Sequence, residues 1–86
     1  MNKNEGQLST PEISIILPCL NEEKALSTCL DQIKHTIDIN KLNAEIILID
    51  NDSTDNSFSI AKNKSKEIGY LKIFLEKSLL LIILEL

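Results

Sequence analysis

Apolar and polar positions divide the chain into five segments of two kinds. Residues 13–17 (Ile-Ser-Ile-Ile-Leu) form a short, nearly continuous β-branched and aliphatic run, and residues 45–50 (Glu-Ile-Ile-Leu-Ile-Asp) repeat it. Runs of this kind predict strands covered on both faces, because a half-exposed strand alternates instead. Pro18 lacks the N–H that a ladder needs and is expected to end the first strand. Between the runs, Leu26, Cys29, Leu30, Ile33 and Ile37 fall at helical intervals and make one apolar stripe. Asn21 is the expected N-cap of this helix, Glu22 and Glu23 meet the positive end of its dipole, and it should stop within residues 38–43.

The polar turn Asn51-Asp52-Ser53-Thr54-Asp55 offers capping side chains to a second helix with a thinner stripe of Phe58, Ala61 and Ile68. Gly69 is its expected stop, and residues 70–75 predict a third strand. Strands alternating with helices predict an α/β fold, a parallel sheet with right-handed crossovers in the order β-α-β-α-β. Residues 1–10 are polar and aperiodic, a flexible leader; residues 11–78 are the folding unit; residues 79–86 are an apolar tail. The six apolar residues at 79–84 fall far short of the roughly 20 that span a bilayer. No apolar stretch opens the chain, so the expected location is cytoplasmic, with peripheral contact at the inner membrane face left open by the scattered lysines from Lys62 to Lys77.

Length and charge narrow the functions. At 86 residues and a net charge of -4, the chain is at most one small domain. It holds one Tyr, two Phe, no Trp and no Arg, so base-stacking platforms and guanidinium clamps are scarce, which excludes nucleic acid as the expected partner. Cys19 and Cys29, ten apart, fit neither a zinc pair nor a disulfide framework and are expected to be reduced and buried. His35, the single histidine, is expected on the surface.

In an open parallel sheet, ligands bind outside the carboxyl ends of the strands. Two polar clusters fall there, Pro18-Cys19-Leu20-Asn21-Glu22-Glu23 and Asp50-Asn51-Asp52-Ser53-Thr54-Asp55. Neither has the glycines that let a backbone wrap a phosphate. Carboxylates and carboxamides suit the N–H groups of a base and the hydroxyls of a ribose, whereas a bare diphosphate needs a bridging divalent metal. A solvated, helix-capping turn is the bland reading of residues 50–55.

The stretches beginning Ser14-Ile-Ile-Leu-Pro-Cys-Leu-Asn-Glu-Glu and Glu45-Ile-Ile-Leu-Ile-Asp-Asn-Asp-Ser-Thr-Asp resemble family 2 glycosyltransferases, especially the branch similar to dolichol-phosphate mannose synthase. The resemblance runs from about Ile13 to Phe74. It implies a truncated, Rossmann-like sheet of the GT-A type. It further implies that Pro18, Leu20 and Glu22 line a nucleoside pocket and that Asp50 and Asn51 contact base or ribose. The implied donor is a UDP- or GDP-linked sugar, the implied acceptor of a parent enzyme a polyprenyl phosphate, and the implied cofactor of the full-length family Mg or Mn. The family's Asp-x-Asp motif should follow the third strand, and nothing beyond Lys77 supplies it. No catalytic residue and no metal ligand is therefore assigned, and transfer by this chain alone is not expected. Alternatives are a remnant of an interrupted gene and a receiver-like signalling module, although a receiver would carry an acidic pair where Pro18-Cys19 stands.

Overall fold

The structure, a computed structural model, describes residues 10–77. Three strands and two helices alternate: β1 (Ile13–Cys19), α1 (Leu26–Ile39), β2 (Ala44–Asp50), α2 (Ser57–Glu67) and β3 (Leu71–Leu75). Both strand pairings are parallel and the order is β1-β2-β3, so the expected β-α-β-α-β sheet is present. A central second strand is the 3-2-1 half of a Rossmann sheet. Receiver folds place the first strand between the second and third, so the signalling-module alternative fails on topology. The leader and the apolar tail expected at residues 1–10 and 79–86 lie, Thr10 aside, outside the described residues.

One sheet face holds the core. Cys19, Ile46, Leu48 and Leu71 pack with Leu26, Leu30 and Ile37 of α1 and Ala61 of α2, with Ile15, Leu17, Ile33 and Ile73 packed around them. The predicted stripe of α1 thus faces the sheet. Cys29 on that stripe is half-buried rather than buried. Register places Ile16, Ile47 and Lys72 in one row of the opposite face and Pro18, Ile49 and Phe74 in the next. No described element covers them: Ile16 stays 53% exposed and Phe74 54%. The expectation of strands covered on both faces is corrected here. Two crossovers of one hand that step the same way across a sheet put both helices on the same side.

Pro18 does not end β1 but sits inside it, opposite Ile49. Residues of a parallel strand point N–H and C=O alternately to one neighbour and the other. Cys19 and Ile13 bond toward the β2 side, so Pro18 turns its missing N–H to the outer edge, where the described sheet loses nothing.

The first helix stops within the expected range, and the second stops without its expected glycine. α1 closes with a Schellman motif, Leu42 N–H on the Ile37 carbonyl at 3.0 Å and Lys41 N–H on the Asp38 carbonyl at 3.2 Å. The left-handed residue that this motif needs is Lys41, at φ 52°. α2 ends at Glu67, and Ile68 turns to an extended conformation that carries its side chain into the core. Gly69, the expected stop, has no left-handed φ and does not cap the helix.

Candidate functional site

Cys19 and Asp50 are opposite each other at the ends of β1 and β2. One step on, the Asn51 N–H donates to the Cys19 carbonyl at 2.8 Å, and the Glu76 N–H donates to the Asp50 carbonyl at 2.8 Å. The three strand ends thus form a single rim. The turn after β1 and the turn after β2 leave it side by side.

Side chains lash the two turns together. Asn21 donates its N–H to Ser53 Oγ at 2.9 Å, Glu22 to Ser57 Oγ at 2.8 Å, and Glu23 to Asp55 Oδ2 at 3.1 Å. In return, Thr54 donates its N–H to Asn21 Oδ1 at 2.8 Å, and Asn56 to Glu23 Oε1 at 2.8 Å. Asn21 is therefore not the cap of its own helix. α1 begins at Leu26 without a side-chain cap and without an acid in its first turn, while Asn21 adopts φ 53° and caps the turn from the other strand. Asparagine tolerates that left-handed conformation better than most residues. Glu22 and Glu23 are likewise moved from the α1 dipole to the junction between turns. α2 also starts without a side-chain bond from its N-cap residue Asn56 and without an acid in its first turn, against expectation; Asp55 Oδ1, one residue further out, accepts the Ser57 N–H at 2.9 Å.

The five sequence-derived site residues fall into two groups. Pro18 and Glu22 line a hollow of about 220 Å³ with Leu17, Cys19, Ala25, Leu26 and Cys29, and Leu20 next to them is 42% exposed. Asp50 and Asn51 lie behind, at 1% and 6% exposure. Both Asp50 oxygens are already engaged by Ser53, Oδ2 by its N–H at 2.9 Å and Oδ1 by its hydroxyl at 2.6 Å. Asn51 Nδ2 reaches the Glu76 carbonyl at 3.4 Å. The residues sequence reasoning missed are Asn21, Ser53, Asp55 and Ser57. Asn21, Ser53 and Asp55 read as local caps and Ser57 carried no signal of its own, while all four bond across to the other turn.

Burial pushes the Cys19 thiol above its ordinary range; the nearby Asp50 charge acts the same way and the Ser57 hydroxyl opposes. A neutral buried thiol is a packing group, not a nucleophile. Desolvation raises the Asp55 carboxyl, but hydrogen bonds from the Ser57 hydroxyl and the Ser57 and Glu23 N–H groups outweigh it and hold it below the usual carboxylate range. Among the described residues no three His, Cys, Asp or Glu side chains converge as a metal site. Asp50, Asp55 and Glu23 accept from Ser hydroxyls and backbone N–H groups and are committed to the turns, so no step is assigned to a metal.

Residues 14–78 match the profile of Glycosyl transferase family 2. The chain belongs to that family. A curated relative, the dolichyl N-acetyl-alpha-D-glucosaminyl phosphate 3-beta-D-2,3-diacetamido-2,3-dideoxy-beta-D-glucuronosyltransferase of Methanococcus voltae, is 38% identical over 61 residues, covering 71% of this chain and 19% of the relative. In fold, this family 2 chain is similar to a mannosyltransferase from Pyrobaculum calidifontis solved in complex with GDP-Man and Mn2+. That likeness has a TM-score of 0.68 at 23% identity and covers 83% of this chain and 21% of the other. The chain thus spans about a fifth of the length of either protein. The match range and the GT-A-like sheet agree with the resemblance carried by the two turn motifs. Among the described residues, no helix of this family 2 chain is long and apolar enough to cross a membrane.

Proposed function

We propose that this chain forms the nucleoside-binding wall of a glycosyltransferase whose donor is a sugar linked to UDP or GDP. The observation that carries this reading is the Asn51–Cys19 rung, which joins the two motif-bearing turns into one rim at the carboxyl ends of parallel strands. Pro18, Leu20 and Glu22 offer the accessible surface, with Leu20 as an apolar contact for the base. Asn51 brings its carboxamide to base or ribose, and Asp50 acts through the Ser53 turn that it holds. GDP-Man in the Pyrobaculum mannosyltransferase supports the donor class, and Mn2+ there supports Mg or Mn use by a longer parent. The dolichyl phosphate in the Methanococcus relative's name supports a polyprenyl-phosphate acceptor. At about 220 Å³, the hollow is smaller than the roughly 300 to 1,000 Å³ of ligand pockets, as suits one wall of a site. On this reading the chain by itself binds nucleotide weakly and transfers no sugar.

Calorimetric titration of the chain with GDP and with UDP, each with and without Mn2+, tests the reading. Binding of one of them is expected, weakened by Asn51→Ala and unaltered by Glu76→Ala. Heat of dilution alone with every nucleotide would remove the proposal. Sugar transfer by the purified chain would overturn its last clause.

A further inference from the structure

We infer that Asn21 is a positioning residue, which sets nucleotide affinity by locking the turn after β1 to the turn after β2 without touching the ligand. This inference rests on the nucleoside-wall reading and names what holds that wall in shape. Asn21 stands between Leu20 and Glu22, two residues assigned to the wall, and its backbone is fixed at φ 53°. Its main-chain N–H goes to Ser53 Oγ at 2.9 Å. Its side-chain Oδ1 receives the Thr54 N–H at 2.8 Å and the Asp55 N–H at 3.3 Å, with the Thr54 hydroxyl at 3.4 Å. One residue thus gives to and takes from the opposite turn, and the same Ser53 hydroxyl donates to buried Asp50. The chain of bonds runs from Leu20 and Glu22 through Asn21 and Ser53 to Asp50, beside Asn51. Chains of hydrogen bonds reinforce one another, so loosening Asn21 displaces both halves of the wall together.

The backbone demand and the side-chain demand at Asn21 separate by substitution. Asn21→Gly keeps the left-handed conformation and removes the acceptor, whereas Asn21→Asp keeps an acceptor at the same place. In the nucleotide-free chain, amide hydrogen exchange at Thr54 and Asp55 is expected to quicken in Asn21→Gly and to return toward the parent rate in Asn21→Asp. Titration with GDP or UDP is expected to show a loss of about tenfold in affinity for Asn21→Gly. Ser53→Ala, which breaks the lock from the other turn, is expected to give a loss of similar size, and adding Asn21→Gly to it little more, since the two act as one unit. Unchanged exchange at Thr54 and Asp55 in Asn21→Gly overturns the lock. Quickened exchange with unchanged affinity overturns the positioning role while the nucleoside-wall reading stands. A parent chain that binds neither nucleotide sinks that reading itself, whatever the exchange shows about the turns.

Discussion

Ser57 Oγ accepts the backbone N–H of Glu22 at 2.8 Å, although one residue lies in α2, the other in the turn after β1, and 35 positions separate them. Ser57 is fully buried and opens α2, so the start of that helix is also the support of the β1 turn. Helix and turn therefore stand or fall together.

Replacing Ser57 by Ala removes the acceptor of the Glu22 N–H from a part-buried bond. A loss of about 1 kcal/mol is expected, the ordinary net contribution of one hydrogen bond. Ser59→Ala, on the exposed face of the same helix, should stay within about 0.5 kcal/mol. Urea denaturation of the two variants checks the contrast, and equal midpoints would disprove it.

The helix ends invite a paired substitution. Lys41 holds the left-handed position of the α1 stop, which favours glycine, while Gly69 has an ordinary negative φ with nothing within 4 Å of an added Cβ. Lys41→Gly relieves a strained backbone and Gly69→Ala removes freedom from the unfolded chain. Each is expected to stabilise by about 0.5 to 1 kcal/mol. Thermal melting should show both midpoints rising and their effects adding, because the sites share no partner.

Tyr70, the single tyrosine, donates its hydroxyl to Asp38 Oδ1 at 2.7 Å. Burial, then the Asp38 hydrogen bond and charge, push its pKa up to about 12 from 10.0. A group whose folded pKa is raised contributes stability that is complete below its unfolded value and disappears as pH climbs from about 10 to about 12. Ultraviolet absorbance should follow this one phenol directly, with its midpoint moving down in Asp38→Ala. Hydrogen bonds from Lys34 and Tyr70 hold the Asp38 carboxyl below its usual range, so its contribution is present at neutral pH and is lost as acid carries it through its folded pKa.

The thiols should differ in reactivity. Cys19 is 2% exposed with a pKa raised by burial, and Cys29 is half-buried. A disulfide reagent is expected to titrate Cys29 in the native chain and Cys19 after unfolding. Mass mapping of the labelled peptides decides it, and rapid native labelling of Cys19 would contradict the buried placement.

Lys64 joins the two helices by meeting Asp31 at 2.6 Å, with the aspartate side chain 56% exposed. The Lys64 side chain is only 14% exposed, so one end of the pair is sheltered, and Asp31→Asn should lower the melting midpoint slightly at low salt. In 1 M salt, where screening acts within about 3 Å, the difference from the parent chain should shrink without vanishing.

Much of the architecture was legible along the chain. The stripe from Leu26 to Ile37, the two aliphatic runs and the alternation of strand with helix each depend on a residue's near neighbours, and periodicity records that directly. The motif-bearing turns could also be located, since strand ends in a parallel sheet point to one rim. What the letters could not reveal was which group each turn residue serves. Asn21 reads as a cap for the helix that follows it, yet its oxygen goes to Thr54, and that exchange exists because β1 and β2 pair in a register that brings Cys19 opposite Asp50. Pro18 inside a strand, Ile16 on an uncovered face and Gly69 without a capping role have the same origin. Hydrophobic spacing is set within a turn or two of chain, whereas hydrogen-bond partners more than thirty residues apart are chosen by strand register and by the side of the sheet on which the helices land.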